Sequence, residues 1–407
     1  MGTNTPHAPH ARHVTIVGGG IGGLVAAVAA REAGLAVTLH EAQRELGGRA
    51  RTTAGEHRAN RGPHVLYDDG PLWHWLDARG LARPAARVPL VPRVRFAVDG
   101  AGRSVLPLGV ARAIVRLRRR TPEAPVDRSF TDWASSIVGP EPAARVATLV
   151  AVATFDHDPG RLSAAFVQDR LRRVTRLPAR ARYVPGGWTT LVDRLADHAR
   201  GLGAVLETGS RVDTLPDGPV VLALPLHRAA ALLGDPTLTW TGTRTALLDV
   251  AFRRERGDAF LAAGVDEPGF AEAYTVPDPS LAPAGEHLVQ AQVGLRPDEA
   301  LDDAVVRAEA LVDAGWPGWR PRETWRRRLK ISDETGAVDL PGTSWRDRPA
   351  IHRGQDVHVV SDMAPRPGHL AEIPHAAALT AIDALTTRLT TPAVPGWRAA
   401  EVPASGG

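Results

Sequence analysis

Gly18, Gly20 and Gly23 stand at G-x-G-x-x-G spacing directly after the apolar run His13 to Val17. The spacing suits a main chain that must come close to a pyrophosphate. The first glycine permits the tight turn, the second lets backbone approach the phosphates, and the third lets a helix pack closely on the strand. The helix, read from Leu24 to Ala33, directs its free N–H groups and positive dipole end at the same phosphates. Gly34 stops it, and Leu35 to His40 reads as a second strand. Glu41 then falls where a carboxylate accepts hydrogen bonds from ribose hydroxyls, and its charge repels a 2′-phosphate, which argues against NADP. A second glycine turn carrying an arginine follows, Gly47-Gly48-Arg49. The two halves describe a pocket for the adenosine diphosphate part of a dinucleotide, and the second turn points to FAD.

With Glu41 followed by Gly47-Gly48-Arg49, the N-terminus resembles the FAD-dependent amine oxidase and phytoene desaturase superfamily. The resemblance implies a Gly-Gly-Arg turn lying along the FAD diphosphate and flavin, with Arg49 neutralising phosphate charge through its planar fork. Gln43 stands where the family often has an arginine. Tyr183-Val-Pro-Gly-Gly-Trp-Thr-Thr-Leu-Val-Asp-Arg-Leu195 resembles the family's entry into a helix, and Gly203 to Glu207 and Arg211 to Leu215 read as strands returning to the FAD domain. There, Val212 matches a position whose backbone meets the adenine, and Pro219 to Pro225 resembles the strand that leads out to the substrate domain. Near the C-terminus, Val357 to Met363 and Pro367 to Ile373 resemble the last FAD motif. In that motif Asp362 holds ribityl or phosphate oxygens, and the helix beginning near Leu370 aims its N-terminus at the flavin O2. Ser361 replaces the expected glycine before Asp362. It puts a Cβ where close backbone approach is expected. The implied fold class is α/β, a Rossmann-like FAD-binding domain of the glutathione-reductase type interleaved with an α+β substrate domain.

At 407 residues, two interleaved domains are expected, and the hydrophobic fraction of 43% supplies a sizeable core. The FAD domain is read as 13–70, 184–226 and 340–390, and the substrate domain as 71–183 and 227–339, after a disordered tail at 1–12. Val94 to Val98, Asp99-Gly100 and Val105 suggest a hairpin. Ser129 to Val138, Ala143 to Ala153, Asp302 to Ala314 and Ile373 to Leu389 read as helices, and Ala246 to Phe252 and His287 to Val293 as alternating strands flooring a substrate cavity. Residues 14–30 carry no charge and mimic a secretory signal, but five glycines in six positions make a poor inserted helix. With no other uncharged run of spanning length, the chain is expected to be soluble and cytoplasmic.

The chain has no cysteine. That excludes disulfides, thiol redox chemistry and a cysteinyl link to a flavin, so FAD is expected to bind non-covalently without a metal. An isoelectric point near 10.1 suggests nucleic acid, yet the formal charge is only +4 and no aromatic residues interleave with the arginines. Nucleic acid is discounted. The dense cluster Arg112, Arg116, Arg118, Arg119 and Arg120 shares a helix with Val110, Ile114 and Leu117: an amphipathic surface helix, or a patch for peripheral membrane contact. The oligomeric state is left open.

A flavin accepts hydride at N5, so the protein must position a C–H bond there and exclude water. Asn60-Arg-Gly-Pro-His-Val-Leu-Tyr67 matches a family strand beside the flavin, with Gly62 as the backbone approach. His64 is the first candidate for a polar group facing the substrate, against a structural histidine. His369, beside the proposed flavin O2 site, is a candidate for stabilising reduced-flavin charge. Lys330, the only lysine, follows Arg326 to Arg328 and reads as a solvated surface residue. Tyr67, Trp73, Trp75, Tyr183 and Trp188 are candidates to line a cavity, although core packing explains most of them. With only three tyrosines a two-ring aromatic cage is not evident. Desaturation of a C–C bond in a small or medium substrate is therefore preferred to amine oxidation with release of peroxide. A degenerate FAD-binding partner protein and an aromatic hydroxylase are also compatible with the glycine motifs.

Overall fold

The computed structural model describes residues 12–62, 65–89, 93–119, 121, 123–354 and 356–390. The N-terminal strands are β1 (His13–Val17), β2 (Ala36–Glu41), β3 (Leu66–Tyr67), β4 (Ala86–Arg87), β5 (Val94–Val98) and β6 (Ala101–Arg103). β7 (Ala181–Tyr183), β8 (Val205–Thr208) and β9 (Val220–Leu222) follow, then β10 (Gly242–Arg253), β11 (Leu261–Gly264), β12 (Gly269–Ala273), β13 (Glu286–Gly294), β14 (Glu323–Ala337) and β15 (Val357–Val359). The helices are α1 (Ile21–Glu32), α2 (Pro71–Asp77), α3 (Leu108–Leu117), α4 (Phe130–Val138) and α5 (Pro140–Thr154), then α6 (Ala164–Val174), α7 (Trp188–Gly201), α8 (Leu226–Leu233), α9 (Leu301–Gly315) and α10 (Glu372–Thr390).

β1 is built from β-branched residues, and four of its five side chains are buried, as a strand covered on both faces requires. It sits at the centre of a five-stranded sheet of order β15-β9-β1-β2-β8, in which every recorded pairing is parallel. The strands come from three separate stretches of chain, 13–41, 205–222 and 357–359. α1 covers this sheet in company with α7 and α10, and its alanines and valines allow the close approach. The α/β core read from the sequence is present.

A seven-stranded sheet of order β14-β10-β13-β12-β11-β5-β6 forms the second layer, antiparallel except where β11 meets β5. α9 packs its apolar stripe on one face of it, and α3 to α6 form a helical cluster beside it. A small sheet of order β3-β7-β4 lies between the two larger ones in sequence.

Several local expectations change. α1 begins at Ile21, three residues earlier than read, because Gly22 and Gly23 sit inside its first turn. Arg211 to Leu215 forms no strand: β8 is the sheet edge, and Asp213, Pro216, Asp217 and Gly218 favour turns. The hairpin is present, with Asp99 and Gly100 both at positive φ as a two-residue turn demands, but it closes at Arg103, leaving Val105 76% exposed. The largest omission is β14. Its run Arg326-Arg327-Arg328-Leu329-Lys330 reads as surface, yet it alternates faces beside β10, with Arg327 turned inward and Lys330 exposed.

Candidate functional site at the two glycine turns

The first glycine turn is fixed by contacts that only glycine permits. Gly18 has φ +105, and a Cβ there would lie 2.3 Å from the Ala223 carbonyl oxygen. A Cβ on Gly23 would come within 1.9 Å of the Gly18 oxygen, so this glycine sets how closely α1 approaches β1. Gly20 behaves differently: its nearest neighbour would be the Gly47 oxygen at 3.9 Å. Across from it, a Cβ on Gly48 would meet only the Gly20 Cα, at 3.7 Å. The two turns are stitched together by the Gly47 N–H donating to the Gly19 carbonyl at 2.7 Å and by a parallel bridge between Gly20 and Gly47. Gly20 and Gly48 thus present open backbone at the junction of both turns.

α1 begins at this junction with no side-chain cap and no acidic residue in its first turn. Its leading amides and dipole are free for an anion. Glu41, at the end of β2, is 9% exposed. Its carboxylate accepts from the Gly19 and Gln43 amides, both at 2.8 Å, so it braces the loop, and each oxygen keeps acceptor capacity for a ribose hydroxyl.

The structure brings Arg49 and Asp362 together, although 313 positions separate them: Nη1 donates to Oδ2 at 2.6 Å. Asp362 is buried while Arg49 is 35% exposed at its side chain. Ser361 supports this pair. Its hydroxyl donates to Asp362 Oδ1 at 3.1 Å and accepts from the Met363 amide at 3.2 Å. Among the described residues, chain neighbours aside, no atom lies within 4 Å of a Cβ position on Gly62. His64 lies outside the described residues. Val212 is half-buried against the cluster around Val17, Val220 and Leu222, in irregular backbone.

His369 is buried, and its Nε2 lies 3.0 Å from Asp169 Oδ2. Burial lowers its pKa more than Asp169 restores it. The ring meets Tyr67 edge-on at 6.2 Å. His369 and Tyr67, with Leu370, Trp73 and Glu372, line a cavity of about 10 Å³, room for one water. The amino end of α10 is not free: the Glu372 side chain accepts from the His369 amide at 3.0 Å and pairs with Arg173 at 2.5 Å. Trp188 packs in the core of the parallel-sheet layer, as does Trp73, and Trp75 lies against it.

The alternating strands read as a cavity floor are β10 and β13, but the polar residues on that face were not singled out from the sequence. Arg327, Asp249, Gln290 and Glu272 stand in register on four adjacent strands, β14, β10, β13 and β12. Asp249 receives Arg327 Nε at 2.7 Å and Gln290 Nε2 at 2.6 Å. Burial still pushes its pKa up, with Arg327 opposing. Arg327 and Gln290 also donate to the Asn60 carbonyl, at 2.6 and 3.2 Å. Asn60 Oδ1 in turn accepts from Thr52 and from the Trp188 amide. Segment 60–62 is therefore clamped between the glycine turns and the sheet. Glu272 is hydrogen-bonded by Tyr183 and Tyr274. Burial drives it to about 7 against the two tyrosine hydrogen bonds. The available signal was Leu288-Val-Gln-Ala-Gln-Val293, polar at alternate positions of an otherwise apolar strand.

Residues 16–78 match the model of the NAD(P)-binding Rossmann-like domain. The matched segment has the strand–turn–helix–strand order of a Rossmann-like unit. Over 97 residues, 23% of this chain, the sequence is 35% identical to a lycopene-forming phytoene desaturase of Paracoccus sp., and the match spans 19% of that relative's length. Solved structures resemble the whole chain. An oxidoreductase from Methanosarcina mazei superposes with TM-score 0.75 at 18% identity, covering 91% of this chain and all of the other. Cyclohexylamine oxidase from Brevibacterium oxydans gives 0.71 at 15% identity, covering 93% and 99%. UDP-galactopyranose mutase in its reduced form gives 0.69 at 14% identity, covering 93% and 96%. The chain shares the fold of the amine oxidases, and that fold also carries a mutase.

Proposed function

We propose that this chain is an FAD-dependent oxidoreductase that takes hydride from a small or medium organic substrate. The observation that carries the reading is the contact between the two glycine turns, with Gly20 and Gly48 open to one another beside Arg49. A nicotinamide site of Rossmann type needs only the first turn, whereas a longer dinucleotide can run from the amino end of α1 along Gly48 to Arg49 and Asp362. In this reading the FAD-binding domain is discontinuous, 13–70, 184–226 and 340–390, with the remainder between 71 and 339 serving the substrate.

FAD, when bound, supplies a two-electron acceptor for hydride. The residues of the chain do the rest. The amides of α1 and the Arg49 guanidinium balance diphosphate charge. Glu41 holds the loop and offers its remaining acceptor sites to the ribose. Asn60, clamped by Arg327 and Gln290, fixes the backbone at Gly62 that approaches the ring. His64 and His369 are the candidates for substrate-facing and flavin-facing polar groups. His369 is neutral near pH 7 because burial lowers its pKa, so its role is hydrogen bonding.

Desaturation at carbon is the first reaction class, and amine oxidation with peroxide release is the second, favoured by the buried Glu272 and its two tyrosines. The purified protein is expected to show the absorbance bands of oxidised flavin, bleached by substrate. Peroxide from oxygen selects the oxidase; a need for another acceptor selects the desaturase. A protein that takes up no FAD sinks both and leaves the degenerate-partner reading.

Among the described residues no helix is long and apolar enough to cross a membrane. α3 nevertheless exposes Leu108 and Val115 on the side where Arg112, Arg116 and Arg119 line a surface groove. We infer peripheral contact with anionic lipid there; Arg120 lies outside the described residues. Vesicles containing phosphatidylserine are expected to bind the protein in low salt and release it in high salt. Equal binding to neutral vesicles contradicts it.

A further inference from the structure

The middle strands of the seven-stranded sheet, β10, β13 and β12, are buried on both faces, and the two faces differ in kind. Toward α9 they present Leu248, Val250, Phe252, Val289 and Val293. The opposite face carries Thr245, Asp249, Glu272, Gln290 and Gln292, none more than 7% exposed. A face that serves only as core has no need of these, since each buried polar atom must find a partner or lose its hydration for nothing. Asp249 is accounted for by Arg327 and by Gln290 Nε2. Four atoms are not: among the described residues Gln290 Oε1, Gln292 Oε1, Gln292 Nε2 and Thr245 Oγ1 have no hydrogen-bond partner. Gln292 stands two residues along β13 from Gln290, on the same face. Glu272 stands in register with Gln290 across the strand pair. All of this lies behind Asn60, whose carbonyl Gln290 itself holds, two residues before the open backbone of Gly62.

We propose that Gln292 and Gln290, with Glu272 beside them, form the subsite that receives the polar head of the substrate, a hydroxyl or amino group with at least one hydrogen to donate. The inference rests on the oxidoreductase reading and narrows its substrate class. The amide oxygens and the Glu272 carboxylate accept from the head group, and Gln292 Nε2 donates to its lone pair where there is one. Such a site rejects a plain hydrocarbon of the same size, because that ligand leaves the buried amides unpaired.

The test uses the full chain with FAD added and three rings of one size: cyclohexene, cyclohexanol and cyclohexylamine. Flavin content is measured first, so failure of the cofactor reading is seen separately. Binding is then followed by shift of the melting temperature, which needs no turnover and works with or without flavin. The wild type is expected to bind cyclohexanol or cyclohexylamine at least roughly tenfold more tightly than cyclohexene, the worth of one hydrogen bond to a buried group. Gln292→Leu is expected to abolish that preference while melting no lower than wild type, since leucine removes two unpaired atoms. Binding of none of the three, cyclohexene bound as tightly as the others, or a Gln292→Leu variant that keeps the preference overturns the proposal.

Discussion

At the scale of single residues, the three motif glycines do different work and should fail differently. Gly18→Ala and Gly23→Ala drive a methyl into carbonyl oxygens at 2.3 and 1.9 Å. Each is expected to cost about 1–3 kcal/mol or more of folding stability in denaturant titrations. Gly20 has φ −75 and open space, so Gly20→Val is expected to melt close to wild type yet take up little FAD. Equal FAD uptake by wild type and Gly20→Val would sink the assignment of that space to phosphate. Glu272 makes a second residue-scale prediction. Its pKa rises from 4.5 to about 7 on folding, so the native state binds its proton more tightly than the unfolded state. Its contribution is full below pH 4.5 and is lost as pH rises to about 7, at about 1.4 kcal/mol per unit. Glu272→Gln should flatten that part of a stability-versus-pH curve; an unchanged slope contradicts the burial argument.

At the scale of elements, the β1–turn–α1–β2 unit was legible because each residue type there has one physical use: apolar run, glycine turn, alanine-rich helix, terminal acid. The long helices and β10 and β13 were legible by period. β14 was not. Arginine in three consecutive positions looks like solvated charge, and the buried partner that makes Arg327 an inward residue, Asp249, is 78 positions away. The Arg49–Asp362 contact and the grouping of Tyr183 and Tyr274 at Glu272 are equally non-local. What was unreadable was therefore the pairing between elements and, at β14 and at Arg211 to Leu215, their kind as well. Arg327→Leu leaves Asp249 as a buried carboxylate without its cation, and a loss of about 3–5 kcal/mol is expected by urea unfolding. Adding Asp249→Leu should recover part of it, because the second change removes the stranded charge. No recovery in the double variant would show that the pair does not act as a unit.

At the scale of the whole molecule, a parallel sheet assembled from three stretches of chain ties both larger sheets into one folding problem. Two buried histidines report on its acid limit. His287 and His375 are each lowered from 6.5 to about 4, chiefly by burial. Their contribution is present above pH 6.5 and is lost as pH falls toward 4, opposite in sign to Glu272. His375→Phe, which keeps a ring beside Trp75, is expected to move the midpoint of acid unfolding to lower pH. Cofactor binding should raise the stability of the intact molecule at every pH, because the unfolded chain has no site. The most direct measurement is a titration of the purified, flavin-stripped chain with FAD, NAD and NADP in parallel, followed by ligand fluorescence and by melting temperature. Saturable uptake of FAD with a raised melting temperature is expected, with no comparable response to either nicotinamide carrier. Saturation by NAD or NADP with indifference to FAD would contradict an FAD site at the two glycine turns.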